Sequence, residues 1–152
     1  MIANISSAPP DDLAAILRLA RESSTAAHWT DQQYQQMFQV GSEPARLVAV
    51  VKSMDSSVVG FLVARHIAPE WELENIVVDP AVRSQGLGKQ LIDFLFARAR
   101  ETNSEVVFLE VRESNAAARK LYERAGFDQT GRRHAYYTNP QEDAILYRCK
   151  LL

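Results

Sequence analysis

The sequence predicts an α+β fold, which some schemes would file as α/β: a mixed, largely antiparallel sheet flanked by helices. Three observations carry that prediction. Short β-branched runs recur along the chain, most clearly at 47–51, 58–67, 71–78 and 106–111. Two stretches, 13–20 and 87–99, place their apolar residues at helical spacing. The longer of these lies between two apolar strands, so it reads as a helical crossover between the central strands of the sheet. At 152 residues the chain is long enough for one substantial core, and it is read as a single domain over 1–152.

Each element has its own signal. Residues 2–5 read as a short first strand. Pro9, Pro10, Asp11 and Asp12 then open a helix, because the first helical turn has no use for the missing proline N–H. Leu13, Ile16, Leu17 and Ala20 line one face of it. Thr30 and Gln33 have capping-box spacing, so a second helix starts there, with Tyr34, Met37 and Phe38 as its stripe and Gly41 as its stop. The polar turn at 53–57 joins the strands 47–51 and 58–67. The strand 71–78 ends at Asp79-Pro80, and after a basic, glycine-spaced turn Leu87, Leu91, Leu95 and Ala99 mark the long helix. A strand at 106–111 leads to a short helix over 116–125, stopped by Gly126 at a position suited to a left-handed cap. Strands near 127–137 and 144–151 close the chain.

Composition excludes several classes. A net charge of −2 gives no electrostatic reason to expect direct nucleic-acid binding. The only cysteine, Cys149, lies in an alternating apolar segment and reads as a core or strand thiol. It can form no internal disulfide, and His28, His66 and His134 show no metal-ligand spacing, so no metal is expected. The N-terminus shows no basic region followed by an apolar stretch, and no segment approaches a membrane span. A cytoplasmic protein without membrane association is therefore expected.

Two blocks carry chemistry. The first is the turn Arg83, Ser84, Gln85, Gly86, Leu87, Gly88 and Lys89, which opens the long helix. Unpaired N–H groups at a helix start, with glycines that let a ligand approach, form a diphosphate site, and Arg83 and Lys89 add positive charge. It is no P-loop, because Gln90 stands where Ser or Thr is needed and the first glycine is missing. It is no dinucleotide fingerprint, because Leu91 stands where a third glycine is needed. Taken alone, such a turn is equally compatible with a purely structural role. In the second block, 109–127, Asn115 can cap the short helix, and Tyr122 follows seven residues later, about two turns along the same face. A simple cap and a simple core tyrosine would look the same. Glu110 sits where a buried strand reaches its polar end, which suits a general base. Glu72 and Glu74, on one face of their strand by alternation, are rivals for that role, and Glu113 reads as a solvated loop carboxylate.

In combination the blocks are more specific. Arg-x-x-Gly-x-Gly after a strand ending in Val-x-Pro resembles the acetyl-CoA pyrophosphate loop of the GCN5-related N-acetyltransferase (GNAT) family. Asn-x-x-Ala-x-x-x-Tyr-x-x-x-Gly-Phe, from Asn115 to Phe127, follows it at the family's distance. The finer resemblance is to the bacterial ribosomal-protein-alanine N-acetyltransferases, the RimI type. It rests on Leu-Glu-Val-Arg-x-Ser-Asn-Ala-Ala-Ala at 109–118, and on Arg132-Arg133 followed by Tyr136-Tyr137. Glu142-Asp143-Ala144, Trp29-Thr30 and Tyr34 add to it. The segment after Tyr137 is Thr138-Asn139-Pro140, where relatives often place proline directly after the second tyrosine.

The resemblance implies that the strands bearing Val78 and Glu110 splay apart and that acetyl-CoA, the cosubstrate, wedges between them. Ile76, Val77 and Val78 would hold the acetyl and pantetheine arm by their backbone. The turn from Arg83 to Lys89 would hold the diphosphate, and Asn115 would contact the cofactor arm. Glu110 matches the proton acceptor and Tyr122 the proton donor, while Trp29, Tyr34, Glu72, Tyr136 and Tyr137 fall on the acceptor side. The aromatics among them would otherwise pass for ordinary core or surface residues. The implied activity is acetylation of a protein N-terminal α-amine, with alanine on a ribosomal protein as the fitting case and its N-terminal peptide as the partner. A small-molecule amine, a lysine side chain, or a silent acyl-CoA-binding module are the alternatives. The chemistry agrees: with a pKa of roughly 8, on the order of a tenth of an α-amine is neutral near pH 7, so only modest help from a base is needed.

Overall fold

The computed structural model describes residues 4–39, 41 and 45–151. Seven strands, β1 (Asn4–Ser7), β2 (Arg46–Lys52), β3 (Val58–Ile67), β4 (Glu70–Val78), β5 (Val106–Arg112), β6 (Asp128–Tyr137) and β7 (Glu142–Lys150), form one sheet in the order β1-β2-β3-β4-β5-β7-β6. The helices are α1 (Leu13–Glu22), α2 (Asp31–Gln36), α3 (Leu87–Glu101) and α4 (Ala116–Arg124). The mixed sheet with flanking helices is the α+β layout expected.

Local signals set most boundaries. Pro10 opens one turn of 3-10 helix, and α1 proper begins at Leu13, burying Ile16 and Leu19 while Leu13, Leu17 and Ala20 pack at its margin. The Thr30 hydroxyl accepts from the Gln33 N–H at 3.1 Å and the Gln33 side chain accepts from the Thr30 N–H at 2.8 Å, a complete capping box. Gly126 adopts φ +104° just past α4, where a side chain would be strained. Of the strand expected at 2–5, residues 4 and 5 lie in β1, which runs on to Ser7 as Asn4 pairs with Lys52 and Ser7 with Ala49; residues 2 and 3 lie outside the described residues. The last strand starts at Glu142, two residues early, because Glu142 pairs with Tyr137 across the final turn.

Two features of the sheet make the site. First, β4 and β5 form the only parallel neighbours among the described strands, and they pair solely at Trp71–Val107 and Glu72–Phe108. Beyond those residues β5 stays with β7, from Val106–Lys150 to Arg112–Ala144, and parts from β4. Second, the β3–β4 register slips between Val63–Asn75 and Ala64–Leu73, leaving Glu74 as the extra residue of a bulge. Trp71 and Leu73 pack with α3, whereas past the bulge Val77 packs with α1 and α2. The burial along β4 alternates without a break, so the change of face is hidden in the sequence.

The core has two parts. Leu91, Ile92, Leu95 and Ala99 of α3 pack on Leu47, Leu62, Leu73, Leu109 and Ile145. On the other face Ile16, Leu19, Tyr34 and Met37 pack on Val48, Val50, Phe61 and Val63. Burying each large aliphatic side chain stabilises by about 1.5–3 kcal/mol. Neither α1 nor α2 packs on β5, so the side chains of Phe108, Glu110 and Arg112 remain partly exposed beside the gap. Among the described residues, no helix is long and apolar enough to cross a membrane.

Candidate active site

The gap between β4 and β5 is a cleft of about 1230 Å³ that runs from the start of α3 to the carboxylates of the two strands. At its α3 end the backbone does the work. The first intrahelical bond of α3 is donated by Gln90 to the Gly86 carbonyl at 3.1 Å, so the N–H groups of Leu87, Gly88 and Lys89 precede any helical acceptor. Gly86 caps the helix at φ +78° and offers no side-chain oxygen to them. Ser84 is also left-handed, at φ +66°. A Cβ at Gly86 would meet nothing within 4 Å, so the space over the turn is open. Gly88 has a different reason: a Cβ there would lie 2.9 Å from Leu121 of α4, so its absence lets the two helices close. Arg83 reaches back to the Val78 carbonyl at 3.3 Å, and Lys89 pairs with Asp93 at 3.0 Å. This end can hold a diphosphate between main-chain amides and cationic side chains.

The middle of the cleft is the edge of β4 at Ile76, Val77 and Val78, which pairs with β3 on one side and has no strand partner on the other. Its free backbone groups can hold an extended ligand as a further strand would. Facing it is α4, where Asn115 caps the helix by accepting from the Ala118 N–H at 3.2 Å. Tyr122 is 7% exposed, with its ring edge-on to Phe127 at 5.8 Å and tilted to Tyr147 at 6.2 Å. Burial pushes its phenol well above the ordinary value, and the nearby Tyr137 adds to the rise. No hydrogen bond links the Tyr122 hydroxyl to another described residue, although it lines the cleft.

Carboxylates gather at the far end. The Glu110 carboxylate is 19% exposed and accepts at Oε1 from the Arg133 Nε at 2.8 Å. Arg65 Nε lies 2.7 Å from Glu72 Oε1 and 3.7 Å from Glu74 Oε2, and Arg46 donates twice to Glu74. Burial raises the Glu72 carboxyl above the usual range, the Arg65 contacts pull it back, and Glu74 and Glu110 push it up again. Tyr137 is pushed to about 12, by burial first and Glu110 second, with Arg112 4.4 Å over its ring. Two like charges near one buried carboxyl make this corner receptive to a cation.

The structure brings most of the expected residues to one space. Glu110, Tyr122, Ile76, Val77, Val78, Arg83, Ser84, Gly86, Leu87, Gly88, Lys89, Asn115, Trp29, Glu72, Tyr136 and Tyr137 all line the cleft. Two do not. Gln85 is exposed and does not reach the cleft. Tyr34 is 2% exposed in the core between α2 and Phe61, because its ring fills the underside of α2, and its hydroxyl accepts from Asn75. Trp29, edge-on to Tyr34 at 5.3 Å, carries that position to the cleft wall instead.

Other residues were missed. Asn75, 6% exposed, donates to the Tyr34 hydroxyl at 3.1 Å and accepts from the Ala27 N–H at 3.3 Å, tying β4 to the 23–29 segment that walls the cleft. An asparagine in alternation with Trp71, Leu73 and Val77 was the available signal, since a polar residue in a buried position needs partners. Arg65, Arg112 and Arg133 also shape the corner; Arg65 faces Glu72 directly across the β3–β4 hairpin, whereas nothing local in the sequence pairs Arg112 with Glu142 or Arg133 with Glu110.

Comparisons with known proteins agree with this geometry. The sequence model of the Acetyltransferase (GNAT) family matches residues 13–127. The ribosomal protein bS18-alanine N-acetyltransferase of Escherichia coli (strain K12) is 31% identical over 144 residues, covering 93% of each chain. The crystal structure of the ribosomal-protein-S18-alanine N-acetyltransferase from Escherichia coli superposes with a TM-score of 0.83 at 30% identity, over 99% of this chain and 94% of that one. An N-acetyltransferase from Staphylococcus aureus Mu50 shares the fold, with a TM-score of 0.84 at 22% identity over 100% of each chain.

Proposed function

The chain belongs to the GNAT acetyltransferase family, and on that premise we propose that it acetylates a protein N-terminal α-amine, that of a ribosomal protein beginning with alanine. One observation carries the reading: β4 and β5 part after Glu72, leaving a cleft with free amides at one end and Glu110 with Tyr122 along the other. The site fits acetyl-CoA. Its diphosphate matches the uncapped start of α3 and the open space above Gly86, and its extended arm matches the unpaired edge of β4. When bound, it supplies an acetyl group activated as a thioester.

The residues of the chain do the rest. Glu72 and Glu110 attract the acceptor ammonium into the corner. Arg133 occupies Glu110 Oε1, so Oε2 is the atom left to take the amine proton, directly or through a water. Main-chain N–H groups on the β4 edge polarise the thioester carbonyl. Tyr122 is protonated and lines the cleft, and its hydroxyl is uncommitted, so it can hydrogen-bond to the departing sulfur and give it that proton. A lone buried cysteine, Cys149, fits direct transfer without an acyl-enzyme step.

A second assignment of the base has its own support. Burial raises the Glu72 carboxyl above the usual range, and Glu72 lines the same cleft as Glu110. Comparing Glu110→Gln with Glu72→Gln separates the two: the true base loses turnover, while the other residue changes mainly the acceptor KM.

The function is tested by acetyl-CoA turnover with an Ala-initiated peptide, polyamines and internal-lysine peptides side by side. Preference for the Ala-initiated peptide supports the reading. Faster turnover of polyamine or lysine moves the acceptor to those classes, and CoA binding without transfer to any of them marks a silent module.

A further inference from the structure

We propose that Tyr147 is a positioning residue for the reaction: clamped between Arg119 and Glu123, its phenol fixes the height of α4 over the sheet and thereby the place of the Tyr122 hydroxyl. The proposal rests on the reading of Tyr122 as the proton donor and adds to it the group that aims that donor.

Tyr147 comes from β7, opposite Leu109 of β5, and its side chain is fully buried in the cluster under α3 and α4. A phenylalanine would fill that volume. The hydroxyl is what differs, and it makes two bonds to α4. Arg119 Nε donates to Tyr147 Oη at 3.1 Å, and Tyr147 Oη donates to Glu123 Oε2 at 2.7 Å. Arg119 and Glu123 stand one turn apart on the helix, bracketing Tyr122, but among the described ion pairs they make no contact with each other. Both side chains converge on the phenol oxygen. Arg119 Nη1 also donates to the Glu113 carbonyl at 3.1 Å, so the same side chain ties down the loop that follows Glu110 and Arg112.

The helix needs such an anchor. α4 has nine residues, too short to be stable by itself, and within it only Tyr122 is buried. Tyr122 forms no hydrogen bond with a described residue, so nothing at its own tip determines where that tip rests. Its ring lies 6.2 Å from the Tyr147 ring and 5.8 Å from Phe127. Rings fix the lateral packing, whereas two charge-assisted bonds to one fixed oxygen fix the helix along its axis. A proton donor misplaced by an ångström loses much of its effect.

The test is a double-mutant cycle on acetyl transfer to the Ala-initiated peptide, or to whichever acceptor class turns over. Tyr147→Phe is expected to lower kcat roughly tenfold with the acetyl-CoA KM within about twofold of wild type. In a Tyr122→Phe background the same substitution is expected to have no further effect on kcat, because the donor it aims is gone. Glu123→Ala should reproduce the loss, and Glu123→Gln, which keeps an acceptor for the phenol, should recover most of it. A tenfold loss that persists in the Tyr122→Phe background, or a Tyr147→Phe enzyme of wild-type kcat, overturns the proposal. If Tyr122→Phe by itself leaves the rate intact, or if no acceptor is acetylated, the donor assignment fails and the inference falls with it. Circular dichroism and melting of each variant identify one that has not folded, and the Glu123 pair then decides.

Discussion

Asn75→Ala should unfasten the wall of the cleft from β4. The asparagine is almost completely buried, and both ends of its amide are used: the carbonyl by the Ala27 N–H at 3.3 Å, the amino group by the Tyr34 hydroxyl at 3.1 Å. Removing it strands the Tyr34 hydroxyl in the core and the Ala27 N–H at the half-buried cleft wall. Each stranded group costs about 1–3 kcal/mol, and the two together come to roughly 2–4 kcal/mol once partial relaxation is allowed. For a chain of this size that lowers the melting temperature by roughly 5–15 °C. Thermal and urea unfolding of wild type, Asn75→Ala, Tyr34→Phe and the double variant give the measurement. Tyr34→Phe removes one of the stranded groups in advance, so in its background Asn75→Ala should cost less, by about 1 kcal/mol. Because the 23–29 segment walls the cleft, the acceptor KM should rise while the acetyl-CoA KM stays near its starting value. A destabilisation below about 0.5 kcal/mol, or strict additivity of the two substitutions, would refute the pinning argument.

Three further outcomes can be measured. Tyr122→Phe should reduce kcat by about a hundredfold, within the range for a lost general acid, with the melting temperature nearly unchanged because its hydroxyl bonds to no described residue; an intact rate removes Tyr122 from the mechanism. Gly86→Val should raise the acetyl-CoA KM about tenfold, since a β-branched residue costs about 1–2 kcal/mol at φ +78° and must shift the amides of the turn; isothermal titration with CoA checks this, and unaltered binding counts against the turn. Asp143 is held down to about 2, first by the Ala135 N–H at 2.8 Å and then by Arg132 at 2.8 Å. A lowered folded pKa stabilises above the unfolded value of about 3.9 and is lost as pH falls through about 2. The melting-temperature gap between wild type and Asp143→Asn should therefore be widest above pH 4 and close toward pH 2, and a gap independent of pH would show that Asp143 is not the group responsible.

Much of the fold was legible because its signals are local. The Thr30–Gln33 box, the left-handed Gly126 and the glycine turn each act over a few residues and need no knowledge of the rest of the chain. The α3 stripe of Leu91, Leu95 and Ala99 was equally plain, since a helix repeats its buried face at a fixed interval. Tyr34 shows where such reasoning ends. Its place among acceptor-side residues came with the family resemblance, but its ring lies in the core and its hydroxyl answers Asn75, 41 residues away. The Glu74 bulge is a second case, because a slipped register leaves the buried-exposed alternation of β4 intact while turning its later side chains to the other face.

The sequence by itself determined the element order, the anion-holding turn and the family to which the chain belongs, because each is written in contiguous residues whose spacing and backbone freedom can be read directly. Only the tertiary structure decided that β4 leaves β5 after Glu72, that Arg133 holds one oxygen of Glu110, and that Tyr147 grips α4 through Arg119 and Glu123. Those contacts join residues 23 or more positions apart. Their formation depends on how two sheet faces and four helices pack together, and no local pattern encodes which buried or charged side chain will meet which.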